Sequence, residues 1–149
     1  MAALSLTACA DEPVSLDSPP VSQQDFETCN DFLRDLPRRL AGHEGRKVDP
    51  AAALGRAWGD PAIVVRCGVD VPADFDETAH CEVANGVGWF VPVGQIDDQD
   101  ADLVFTAAGY RPVVSAEVPD DYRPEGSAAA IAELAEAVQE HLELVDPCE

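Results

Sequence analysis

Positive charge is what this chain has least of: nine Lys and Arg stand against 29 Asp and Glu in 149 residues, a formal charge of -20 at pH 7. Such a balance repels phosphate backbones, so nucleic acid is not an expected partner. No stretch approaches the ~20 consecutive apolar residues that span a bilayer, which excludes a membrane-crossing helix inside the domain. The short patterns that carry chemistry are also missing. No serine sits in G-x-S-x-G, there is no H-E-x-x-H and no phosphate-binding loop, and no two cysteines form C-x-x-C. His43, His80 and His141 are not at metal-ligand spacing. With so many carboxylates, some pair always falls at a catalytic-looking distance, so none is diagnostic. The expectation is a protein that is not an enzyme and holds neither cofactor nor metal.

What is present begins with Leu6-Thr7-Ala8-Cys9, a small residue before a cysteine, followed by a polar, proline-containing stretch. This is how a bacterial lipoprotein signal ends. Residues 1 to 9 are shorter than a complete signal peptide and read as a truncated one, with Cys9 the acylated residue. Two or more acyl chains there would anchor the protein stably on the extracytoplasmic side of the cell membrane. Setting Cys9 aside leaves Cys29, Cys67, Cys81 and Cys148, an even set suited to two disulfides in an oxidising compartment. Residues 10 to 21 contain Pro13, Pro19 and Pro20 and few large apolar side chains, the composition of an extended tether. A single domain is then expected over 22 to 149.

Ser22 is placed to cap a first helix, with Val21 stapled to Phe26 and a buried stripe of Phe26, Cys29, Leu33 and Leu36 running to Pro37. Residues 38 to 47 are basic and punctuated by glycine, which predicts a loop, and a short helical turn is expected between Pro50 and Trp58. Strands are predicted at 63 to 69, 81 to 84, 87 to 93, 102 to 106 and 112 to 118. Asn85-Gly86 suits a two-residue type I′ hairpin turn. A final helix carries Ile131, Leu134, Ala135, Val138 and Leu142 on one face, with Ser127 as its cap and Pro147 beyond its end. The fold class is therefore α+β: an antiparallel sheet of four or five strands with two helices on one face, stapled by disulfides. Cys67 and Cys81 flank one loop between strands, and Cys29 and Cys148 belong to the two helices. The expected pairs are 67 with 81 and 29 with 148.

The candidate interaction surface is the stretch around Trp58, Asp60 and Arg66, with Arg38 and Arg39 as its cations. Trp89 and Phe90 should face opposite sides of the sheet. Asp98, Asp100 and Asp102 alternate like the opening of a calcium loop, but Leu103 and Gly109 stand where that loop needs glycine and glutamate. A solvated acidic turn is the expectation there.

The motifs LTAC at 6 to 9, LeuPro at 36 and 37, WGDPAIVVRCGV at 58 to 69 and NGVGWF at 85 to 90, with the last helix and Cys148, resemble a family of small actinobacterial lipoproteins known as domain of unknown function 3515. The resemblance implies an exported, membrane-associated protein and supplies no activity or catalytic residues. The leading expectation is a binding or interaction module of the cell envelope, with a lipid anchor in the membrane and an envelope protein or polymer as partner. The alternatives are a solute- or cation-binding lipoprotein and a small envelope hydrolase working through carboxylates.

Overall fold

A computed structural model describes residues 12–76 and 78–148. Cys9 and the rest of the leader lie outside the described residues. The stretch 12 to 21 is extended, as its prolines require, but it is not a free tether. Its strand β1 (Val14–Ser15) pairs in parallel with Val48–Asp49, and Leu16 is buried. The Ser18 hydroxyl accepts from the Leu54 amide at 2.7 Å. Helix α1 (Gln23–Arg34) starts as its sequence dictates, the Ser22 hydroxyl accepting from the Asp25 amide at 3.1 Å. Its buried face is Cys29, Phe32 and Leu33, continued by Leu36, whereas Phe26 is 41% exposed and lies outside the stripe.

Residues 38 to 49 form short strands where a loop was expected. Of the stretch 50 to 58 only the first part is a turn, the Ala53 amide donating to the Pro50 carbonyl at 2.9 Å, before a strand begins at Gly55. Strands β2 (Arg39–Leu40) and β3 (His43–Arg46) make a hairpin closed by Ala41 and Gly42, both at positive φ. After β4 (Val48–Asp49), strand β5 (Gly55–Trp58) is paired on both sides, with β3 and with β6 (Ile63–Cys67). That double pairing satisfies the backbone of β5 more completely than a continued helical turn would, and the alanines at 51 to 53 stay in the turn before it. Strands β7 (Cys81–Ala84) and β8 (Val87–Phe90) form the expected hairpin on Asn85 and Gly86, at φ of 47° and 85°. Pro92 caps the short helix α2 (Val93–Asp97), which ends the predicted 87 to 93 strand early. Strands β9 (Leu103–Thr106), β10 (Tyr110–Arg111) and β11 (Val114–Val118) lead through a 3-10 turn to helix α3 (Glu125–His141), and β12 (Glu143–Leu144) closes on β10. Ser127 is not the cap of α3: it is buried in the first turn, and its hydroxyl donates to the Pro124 carbonyl at 2.7 Å.

The main sheet thus has eight antiparallel strands, ordered β2-β3-β5-β6-β11-β9-β8-β7, where four or five were expected. Laid flat it would be roughly 34 Å wide at ~4.8 Å per strand. Its two edge hairpins nevertheless reach the same turn of α3. The Ala41 amide donates to Glu133 Oε2 at 2.9 Å, and Asn85 Nδ2 donates to the Ala132 carbonyl at 3.0 Å. A helix is only ~10–12 Å across, so the sheet curls around α3 like an unclosed barrel. Alternation along the strands sorts the core. Ile63, Val65, Cys67, Trp89, Phe105, Val114, Ala116 and Val118 join the faces of α1 and α3 in one cluster. On the other side Val64 and Ala57 are covered by Leu16, and Phe90 packs with Cys81 and Ala108. Trp89 and Phe90 do face opposite ways, and both are buried.

Both disulfides form, but the partners differ from expectation: Cys29 bonds Cys67 and Cys81 bonds Cys148, with Cα separations of 5.6 and 5.9 Å. The expected 67–81 bridge assumed that β6 and β7 are neighbours. Four strand spacings separate them in the sheet, roughly 19 Å, beyond the reach of any disulfide. Cys67 instead ends β6 beneath α1. The segment after α3 folds back along β10, with the Val145 and Asp146 amides donating to the Gly109 carbonyl at 2.8 and 3.1 Å, and this return brings Cys148 to β7.

Candidate functional site

Because the sheet curls without closing, its two edges leave a groove of about 690 Å³. The exposed side of α3 floors it through Ala132, Glu133, Glu136 and Glu140. Asp35 and Pro37 form one wall and Asn85 the other. Gln139 Nε2 donates to the Asn85 carbonyl at 3.2 Å and holds that wall to the helix. Glu133 is committed to the amide of Ala41 and Asp35 to the ring of His141, so Glu136 and Glu140 are the carboxylates the groove offers a ligand.

Backbone charge reinforces the side chains. Asp35 caps the C-terminus of α1 and His141 is the last residue of α3, and His141 Nε2 lies 2.7 Å from Asp35 Oδ2. Two helix C-termini, each the negative end of a macrodipole, therefore converge on one rim of an already acidic groove. One ligand atom each from Asp35, Glu140 and His141 lie within 4.8 Å of one another, a spacing that one cation could bridge. No local spacing in the sequence announced this trio, since Asp35 and His141 are 106 positions apart. The readable signal was the excess of glutamate on one face of the last helix.

Of the five residues of the expected interaction surface, Arg38, Arg39 and Asp60 lie about one corner with Trp58 beneath it, and Arg66 stands apart. Trp58 is fully buried, its indole donating to the Pro37 carbonyl at 3.0 Å while the Arg56 guanidinium lies 5.5 Å from its ring centroid. Arg66 pairs with Glu117 at 3.3 Å on the sheet face turned away from the helices. Asp60 is 93% exposed and stands 3.9 Å from Arg46. Arg38 is exposed, and Arg39 is engaged with Glu44 at 3.2 Å and the Gly42 carbonyl at 3.0 Å. The WGDP stretch is instead a structural junction. Arg46 Nη1 donates to the Gly59 carbonyl, the Tyr122 hydroxyl donates to the Pro61 carbonyl at 2.7 Å, and His43 stacks on Tyr122 with ring centroids 4.2 Å apart. Burial, with the nearby carboxylates of Asp121 and Asp60, raises the Tyr122 phenol above its ordinary value.

The acidic turn after α2 has its own internal cation. Arg123 Nη1 takes the carbonyls of Asp98 and Ala101 at 2.6 and 2.7 Å, while Asp98 and Asp102 side chains accept from the amides of Asp100 and Asp120. One carboxylate oxygen of Asp98 and one of Asp102 are thus spent on backbone amides, and the carbonyls of Asp98 and Ala101 on a guanidinium.

No curated protein and no solved structure matches this chain. One family model does, over residues 1–147, nearly the whole sequence. The chain accordingly belongs to the family described as proteins of unknown function, DUF3515.

Proposed function

We propose that this is an exported, lipid-anchored binding module of the cell envelope, and that the acidic groove between the sheet edges is its binding site for a cationic ligand. The observation that carries the reading is the groove: the carboxylates of Glu136 and Glu140, with Asp35 and two helix C-termini at the rim, face one concavity whose walls are hydrogen-bonded to its floor. Export is supported by four cysteines closed into two disulfides, bonds that persist in oxidising compartments, together with the LTAC sequence ending at Cys9. Binding is favoured over hydrolysis because Asp35 and Glu140 are exposed, whereas a carboxyl acting as general acid is held in an apolar, desolvated setting. A metal cation on Asp35, Glu140 and His141 is a second reading, favoured by their spacing.

Calorimetry tests both readings, with a tetralysine peptide for the first and zinc or calcium chloride for the second. The double variant Glu136→Lys, Glu140→Lys should lose at least tenfold in peptide affinity, while Asp97→Lys, Asp100→Lys, of equal charge change, should lose far less. Equal losses in the two variants would reduce the attraction to net charge and remove the groove. Metal binding abolished by His141→Asn selects the second reading, and a flat metal titration removes it.

A further inference from the structure

Resting on the anchor reading above, we infer that the domain has no standoff from the membrane and docks on anionic phospholipid headgroups through Arg38, Arg39 and Lys47, the exposed cations of the corner that Arg46 holds together. The argument is one of chain length. Glu12 is already fixed to the domain, because Arg46 Nη2 donates to its carbonyl at 2.7 Å. The chain stays fixed from there: the Val14 amide donates to the Lys47 carbonyl at 2.9 Å, the Leu16 amide to the Asp49 carbonyl at 3.0 Å, and Leu16 is buried. Between an acylated Cys9 and Glu12 there are three residue steps, which span at most ~11 Å in any conformation. Whatever borders Glu12 is thereby held at the headgroup layer.

What borders it is the open end of the β2–β3 hairpin, opposite the tip that grips α3. The Gly45 amide donates to the Arg38 carbonyl at 3.0 Å, which sets Arg38 beside Arg46, and Lys47 follows in sequence. Arg38, Arg39 and Lys47 are exposed, as are the acidic side chains about the corner, Glu12, Glu44, Asp60 and Asp121. Arg46 is largely buried and has its guanidinium on the carbonyls of Glu12 and Gly59. The corner is thus nearly balanced in charge, and the rest of the chain is not. Residues 34 to 66 hold seven basic and four acidic side chains, leaving two basic and 25 acidic elsewhere. An anionic bilayer repels the larger portion and tolerates or attracts the smaller, so electrostatics and the short connection select the same orientation.

The test uses the full acylated protein reconstituted in phosphatidylcholine vesicles with or without phosphatidylglycerol. Benzoylphenylalanine is placed at position 47 or, near the other end of the sheet, at position 97, and lipid photoadducts are read by intact mass. The expected result is an adduct yield at least fivefold higher at 47 than at 97 in the anionic vesicles, falling severalfold when Arg38 and Arg39 are both changed to Glu. In an acylated chain, equal yields at the two positions, or none at either, would overturn the docking and leave the anchor standing. A chain bearing no acyl group would overturn the anchor, and the docking with it.

Discussion

Tyr122 shows how a residue that is unremarkable in the sequence can hold a junction together. Its hydroxyl reaches the carbonyl of Pro61 and its ring stacks on His43, so Tyr122→Phe should cost about 1 kcal/mol for the lost hydrogen bond. The sign of the pH effect follows from the raised phenol. Folding favours the neutral form, so that part of the stability is complete below the ordinary tyrosine value near 10 and is lost as pH climbs through the folded value. The stability gap between the natural protein and Tyr122→Phe, measured by urea unfolding, should therefore narrow above about pH 10. A gap that widens there would contradict the assignment. The same junction explains why the WGDP stretch looked like a recognition surface: an aromatic, a turn and a cation in one short run are as characteristic of a packed corner as of a binding patch. Only burial separates the two, and Trp58 is wholly inside.

At the scale of elements, what could be read depended on whether the signal was local. The Asn85-Gly86 hairpin, the Ser22 cap and the apolar stripe of α3 each lie within a few neighbouring residues, and each forms where the pattern places it. The β2–β3 hairpin was hidden because alanine occupies the left-handed position normally held by Asn, Asp or Gly, and because its short strands carry charged side chains. The cysteine pairing failed for the reason that makes it stabilising: each bridge joins elements far apart in the chain, with separations of 38 and 67 residues. Chain entropy favours the longer loop by only about 0.5 kcal/mol, with roughly 4 kcal/mol as the ceiling for either. Burial decides instead. Cys29 and Cys67 are fully enclosed, and serine hydroxyls left there without partners cost about 1–3 kcal/mol each. Cys29→Ser, Cys67→Ser should hence be the more destabilising pair in urea. Cys81→Ser, Cys148→Ser should be milder, freeing the segment after α3 while leaving the His141–Asp35 contact in place. The reverse order would show that the C-terminal return is the greater contributor.

For the whole molecule, charge is lopsided and the sheet is curled: a nearly balanced corner stands at the open end of the β2–β3 hairpin, and the tip of that hairpin is fastened to the helix that floors an acidic groove. The charge asymmetry was legible in the sequence. The groove was not, because it exists only where two sheet edges, distant in sequence, meet the same helix. The tether was misread because proline content fixes extension but says nothing of what an extended strand rests against.

The most direct test of the account is the intact mass of the protein made from its full natural reading frame and recovered from membranes, with and without thiol alkylation. The account predicts acylation at Cys9 and no alkylatable thiol, the remaining four cysteines being paired as 29–67 and 81–148. An unmodified chain from the soluble fraction with free cysteines would contradict it.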